Sequence, residues 1–148
     1  MPLDPDRVLL RTTRRVEFCD TDMAGIVHFA NFFRWMEAAE VDFLQSLGLS
    51  VALEWEGQSL GFPRVGASCD FVRPVTFLDV VDIDVTVCRL GGKSVTYGFD
   101  FSKGAELVAR GQVSSVCCRV LPGRKLESME IPGPLREALA RAAGAGPE

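Results

Sequence analysis

Residues 19–48 read CDTDMAGIVHFANFFRWMEAAEVDFLQSLG, and the spacing of apolar residues inside this stretch decides the fold class. Phe32, Trp35, Met36, Ala39, Phe43, Leu44 and Leu47 recur at helical intervals, while Arg34, Glu37 and Asp42 fall largely on other faces. The pattern predicts one amphipathic helix from Phe29 to Gly48, about five turns long, with Gly48 as its C-terminal stop. In a small chain such a helix is the central element, and its apolar stripe needs a broad surface to cover it.

The second half of the chain supplies that surface. In VDIDVTVC, Val81, Ile83, Val85 and Val87 alternate with Asp82, Asp84, Thr86 and Cys88, and in SVTYGFDF, Val95, Tyr97, Phe99 and Phe101 alternate in the same way. A period of two marks a strand with one buried face, and the intervening LGGKS is a glycine turn, so the two form an antiparallel hairpin. A further turn at SKGAE leads into a strand from about Leu107 to Leu121, and FPRVGASCDFVRPV reads as another, closed by Pro74. Upstream of the helix, Arg7 to Phe18 is rich in Val, Leu and Thr and reads as a first strand. The tail from residue 134 to 148 begins as a short helix and dissolves into Ala and Gly. The expected order is strand, long helix, then four strands in a meander: an α+β domain whose antiparallel sheet packs on the helix.

Composition sets the outer limits. A chain of 148 residues, 47% hydrophobic and 24% charged, is expected to be one domain spanning residues 1–148. A net charge of -4 leaves no clustered basic surface for nucleic acid. Five cysteines without CxxC spacing are expected to be buried thiols in a reducing, cytoplasmic setting, and with His28 as the only histidine neither a metal nor another cofactor is implied. The N-terminus lacks the basic and apolar regions of a signal peptide, and no apolar run is long enough for a membrane span.

The aspartates before the helix remain. Asp20 and Asp22 have a bland use as turn or N-cap residues, because short polar side chains satisfy free amides ahead of a helix. They also have a chemical use, since a helix start offers unsatisfied N–H groups and a positive dipole end to an anion.

The stretch FCDTDMAGIVHFANFFRWMEAA resembles the hotdog-fold acyl-CoA thioesterases of the 4-hydroxybenzoyl-CoA thioesterase type, through Asp-x-Asp, Gly-Ile-Val, an aromatic, Asn and a helix. GFPRVGASCDFVRPVTFLDVVDI, with Asp70, Phe71, Pro74 and Asp79, and GGKSVTYGFDF extend the resemblance over a core of about residues 8–121. It implies a curved antiparallel sheet wrapped around the long helix, and homodimers or homotetramers with active sites between subunits. It also implies thioester hydrolysis without a cofactor, with Asp22 as the catalytic carboxylate, the Phe29 backbone amide as donor to the thioester carbonyl, and Gly25 permitting the close turn between them. Asp20 is left structural. His28 is read as lining the substrate pocket and Asn31 as bonding locally beside it. Basic residues around such strands and turns meet coenzyme A phosphates in related enzymes, which nominates Arg89, Lys93, Arg124 and Lys125. A second kind of family member carries its catalytic glutamate on the long helix, which keeps Glu37 and Glu40 as alternatives. The acyl group is aromatic by resemblance, with aliphatic acyl groups and acyl carrier protein substrates open. The rival of another class is a non-catalytic acyl-CoA-binding sensor, which the retained Asp22 disfavours.

Overall fold

The computed structural model describes residues 3–50 and 52–144. The helix of the opening stretch, α1, runs Ala30–Ser46, and its buried residues Phe32, Trp35, Met36, Ala39, Phe43 and Leu44 are the expected stripe except for Leu47, which follows the helix as its half-buried C-cap. One residue departs from it: Glu40 lies in the same stripe and is only 3% exposed.

Strands β1 (Leu10–Arg15), β4 (Arg64–Phe71), β5 (Val80–Leu90), β6 (Ser94–Lys103) and β7 (Glu106–Val116) form one antiparallel sheet in the order β1-β5-β6-β7-β4. The expected hairpin is β5–β6, with Ile83 opposite Phe101, Val85 opposite Phe99 and Val87 opposite Tyr97. All six face the core that α1 covers, and burying a side chain of this size contributes roughly 1.5–3 kcal/mol. Gly111 on β7 lets the helix seat closely: a Cβ there would stand 2.6 Å from the Met36 thioether sulfur.

Two expectations are corrected. The four strands are not a simple meander, because β4 pairs with β7 and not with its sequence neighbour β5. Residues 72–79 carry the chain from the β4 edge of the sheet across to β5, beside the opposite edge strand β1, held by the Val72 N–H to Val108 carbonyl bond at one end and the Leu78 N–H to Val16 carbonyl bond at the other. The long strand to Leu121 also breaks. β7 stops at Val116, and β8 (Cys118–Val120) belongs to a second sheet, in the order β2-β3-β8-β9, with β2 (Leu53–Trp55), β3 (Gln58–Gly61) and β9 (Leu126–Ser128).

The tail helix is α2, Gly133–Ala142, and it is part of the core through Leu135 and Leu139; residues 145–148 of the expected tail lie outside the described residues. Of the five thiols, Cys117 and Cys118 are buried, Cys69 and Cys88 half-buried, and Cys19 exposed, so the expectation of five buried thiols holds for two. All five are free. Among the described residues no helix is long and apolar enough to cross a membrane.

Candidate active site

The two aspartates occupy different structural roles. Asp20 ends a short 3-10 turn, Phe18–Asp20, and its carboxylate accepts the Glu17 N–H at 2.8 Å. Its carbonyl accepts the His28 N–H at 2.9 Å and the Asn31 side-chain amide at 2.8 Å, which ties the turn to the start of α1. Asp20 is thereby committed to building the loop, and Asn31 braces it.

Asp22 heads the next turn. Its Oδ1 accepts the Ala24 N–H at 2.8 Å, its carbonyl accepts the Gly25 N–H and its own N–H donates to the Ile26 carbonyl, both at 2.9 Å. The local aspartate turn expected on plain grounds is therefore present. It engages only one carboxylate oxygen: among the described residues Oδ2 has no partner, and the residue is exposed. Gly25 carries φ +79°, a left-handed conformation that closes the turn at little cost only for glycine.

The loop is fixed from below. Thr21 bridges to Val27, Ile26 bridges to Thr76, and the Val27 N–H donates to the Val75 carbonyl at 2.8 Å, so the 72–79 crossover is its floor. Asp79 holds that crossover: its carboxylate accepts the Thr76 N–H at 2.9 Å and hydroxyl at 3.1 Å and pairs with Lys103 at 2.9 Å. The Thr76 N–H, with Lys103 second, holds the Asp79 carboxyl below the usual range.

Phe29 is the N-cap residue of α1, with no side-chain cap and no acidic residue in the first turn. The His28 N–H is used by Asp20, and the Ala30 N–H donates to His28 Nδ1 at 3.2 Å. Between them the Phe29 N–H has no acceptor among the described residues. An accepting Nδ1 places the proton of a neutral imidazole on Nε2. The His28 ring stacks on Phe29, with centroids 4.9 Å apart.

Beside this tip lies an apolar cavity of about 260 Å³ lined by Ile26, Val27, Phe29, Phe32, Phe71 and Arg73, among others. Phe71 approaches Phe29 and Phe32 edge-on, at centroid distances of 6.3 and 5.3 Å. Arg73 is the basic residue the structure brings to the cavity, and sequence reading passed it over; its signal was its position directly before Pro74 on the crossover. Arg89 and Lys93 lie at the other end of the β5–β6 hairpin. Nine strand residues separate Arg89 from Val80, roughly 30 Å at strand rise, so one chain does not bring these two to Asp22. Arg124 and Lys125 sit in the turn between β8 and β9.

The helix carboxylates are elsewhere too. Glu37 is exposed, and Glu40 is buried in a two-pronged pair with the Arg64 guanidinium, which also donates to Ser115 Oγ at 3.0 Å. Burial raises the Glu40 carboxyl above the usual range against the opposing pull of Arg64. Eleven residues of helix separate it from Phe29, roughly 16 Å along the axis.

Known proteins resemble this chain along most of its length. A family model described as the thioesterase-like superfamily matches residues 16–139. The 1,4-dihydroxy-2-naphthoyl-CoA hydrolase of Thermosynechococcus vestitus is 32% identical over 124 residues, 82% of each chain. The 4-hydroxybenzoyl-CoA thioesterase of Pseudomonas sp. strain CBS-3 is 29% identical over 126 residues, 80% of this chain and 89% of that one. The crystal structure of a 1,4-dihydroxy-2-naphthoyl-CoA thioesterase from Synechocystis superposes with a TM-score of 0.78 at 30% identity, covering 88% of this chain and 94% of the other. The expected hotdog fold is thus the fold observed.

Proposed function

The chain belongs to the thioesterase-like superfamily, and we propose that it is an acyl-CoA thioesterase in which Asp22 is the catalytic carboxylate and the Phe29 N–H polarises the thioester carbonyl. The observation that carries this is the pairing, on one braced loop, of a carboxylate oxygen without a protein partner and a helix-tip N–H without an acceptor, next to an apolar cavity. Hydrolysis converts the thioester and one water into a carboxylic acid and the free thiol of coenzyme A. As the carbonyl carbon is attacked, negative charge gathers on the carbonyl oxygen, where an uncompensated helix start stabilises it. Asp22 either attacks the carbonyl carbon and expels the coenzyme A thiolate as the C–S bond breaks, giving a mixed anhydride that water opens, or takes the proton of a water that attacks the carbonyl carbon and expels the same thiolate.

The acyl group is aromatic in this reading. The cavity beside Phe29 is walled by Phe32 and Phe71, and both relatives named above act on aromatic acyl-CoA. Ring edges meeting a ring face add about 0.5–1.5 kcal/mol beyond area burial. Gly25 holds the turn open for substrate, His28 and Asn31 flank it, and Arg89 and Lys93 reach the coenzyme A phosphates from a second copy. That arrangement needs a homodimer or a homotetramer. Its support is β4, an edge strand exposed along nearly its whole length, with Val65 at 65% exposure; such an edge invites pairing with another strand. The whole chain acts as one domain, in the cytoplasm, where its free thiols stay reduced.

Replacing Asp22 by Asn tests the assignment, because an Asn Oδ1 still accepts the Ala24 N–H and the turn survives. Thiol release from a panel of aromatic acyl-CoA thioesters should fall by about 10²–10⁴-fold, with binding retained. Turnover at the wild-type rate would move the role to Glu37, Glu40 or elsewhere, and tight binding without hydrolysis by the wild type would make the chain a sensor.

A further inference from the structure

A second cavity, of about 250 Å³, lies against the later turns of α1, away from the loop of Asp22. Its apolar walls come from four places in the fold: Leu44 of α1, Leu53 of β2, Phe62 before β4, and Leu135 and Leu139 of α2. Its polar groups are Glu37, the Glu40–Arg64 pair and Tyr97. Tyr97 is 2% exposed, and among the described residues its hydroxyl has no hydrogen-bond partner although the residue lines the cavity. Among the described residues this hydroxyl is not one of the fully buried side-chain atoms left without a partner, so it is the accessible part of a nearly buried residue and offers a donor and an acceptor to whatever fills the cavity.

We propose that this cavity is a binding site for a small neutral alcohol with an alicyclic or aromatic body, whose hydroxyl meets Tyr97 and the Glu40 carboxylate. The size supports this, since an apolar cavity of about 150 Å³ already holds a benzene ring. The donor and acceptor inventory sets the polar end. Glu40 spends one position on each oxygen with Arg64, and a carboxylate offers about four, so it can take a further donor. A hydroxyl donates to Glu40 and accepts from Tyr97, satisfying both. An anion is disfavoured because it would enter a cavity lined by two carboxylates and one guanidinium that is already paired. The site is separate from the proposed catalytic loop and rests on that reading, because Glu37 and Glu40, the alternative carboxylates, line this cavity.

Calorimetric titration of the full chain with cyclohexylmethanol tests the proposal, with cyclohexanecarboxylate as the anionic counterpart. Cyclohexylmethanol should bind with a Kd of about 1 mM or tighter, in the range open to a ligand of so few atoms, and the carboxylate at least tenfold more weakly. Tyr97→Phe removes only the hydroxyl and should weaken alcohol binding about 2–10-fold. Leu53→Trp fills the cavity from the half-buried β2 and should abolish binding while thioester hydrolysis continues. Absence of heat with cyclohexylmethanol would overturn the proposal, as would equal binding of the carboxylate, or binding untouched in a folded Leu53→Trp protein. Displacement of the alcohol by benzoyl-CoA would also overturn it, by returning the ligand to the thioester site.

Discussion

The two ends of α1 handle a carboxylate in opposite ways. At the N-terminal end Asp22 is exposed, tied through one oxygen to a local turn and open at the other. Toward the C-terminal end Glu40 is buried and paired through both oxygens with Arg64, whose guanidinium also donates to Ser115 Oγ. The first arrangement leaves a group that can accept a proton or approach a carbonyl carbon. The second spends its charge on a partner and gains position. Asp22 stands in the loop that leads into α1 and Glu40 within the helix, so the difference comes from what the rest of the chain brings to each place: a backbone loop with the free Phe29 N–H at one, and a guanidinium from an edge strand at the other.

The largest expected effect lies at the tip. If the Phe29 N–H polarises the carbonyl, only its backbone position matters, so Phe29→Leu should keep much of the activity. Phe29→Pro deletes the donor, and proline is tolerated at a helix start. Single-turnover hydrolysis should then slow by about 10²–10³-fold with the circular dichroism spectrum unchanged. A folded Phe29→Pro protein with an unaltered chemical rate would break the comparison, since the tip would then do no more than the far end does.

The buried end should show its effect in stability. Glu40→Ala leaves Arg64 without its partner, and breaking a buried pair costs about 3–5 kcal/mol. Because the Arg64 side chain is 35% exposed and can turn to water, the expected loss is nearer 2 kcal/mol, read from the urea midpoint. A midpoint within error of wild type would show that the pair is not holding β4 to the helix.

How much of this the sequence disclosed depended on distance along the chain. The α1 stripe and the β5–β6 hairpin were legible because each is a periodic pattern in a continuous run. The turn at Asp22 was legible because its residues are neighbours. The pairing of β4 with β7 was hidden, since strands adjacent in sequence are neighbours in only about two-thirds of cases and nothing in FPRVGASCDFVRPV names its partner. Strands β2, β3, β8 and β9 are three or four residues long, too short to show a period. Glu40 did leave a sign, a charge inside the apolar stripe between Met36 and Phe43, yet its partner stands twenty-four residues on and no local rule connects them. Arg73 was hidden likewise, because its place at the cavity follows from the crossover.

A smaller effect belongs to Gly25. No atom lies within 4 Å of the position its Cβ would take, so a side chain meets open space and only the backbone resists. At φ +79° that resistance is about 1–2 kcal/mol for an ordinary residue. Gly25→Val should pay it in full or shift the turn and lose activity, whereas Gly25→Asn, tolerant of the left-handed region, should retain both turnover and urea midpoint more nearly. Equal behaviour of the two variants would mean that the turn is not what positions Asp22.

The smallest effect carries opposite signs at the two ends. Asp79 braces the crossover beneath the tip, and its carboxyl is held below the usual range by the Thr76 N–H and Lys103. A depressed folded value means that its stabilisation is present above the ordinary aspartate range and is lost as pH falls through the depressed value. The deficit of Asp79→Asn relative to wild type should therefore be largest at neutral pH and shrink on acidification toward about pH 3. Glu40 is raised, chiefly by burial, so its contribution is complete below the ordinary glutamate range and is lost as pH rises through the folded value. Wild type should gain stability relative to Glu40→Gln as the solution is acidified. Urea midpoints of the three proteins across that range give two difference curves. Slopes of the same sign would show that both carboxylates respond to the same field, and that the exposed tip and the buried far end are not the separate environments their hydrogen bonds describe.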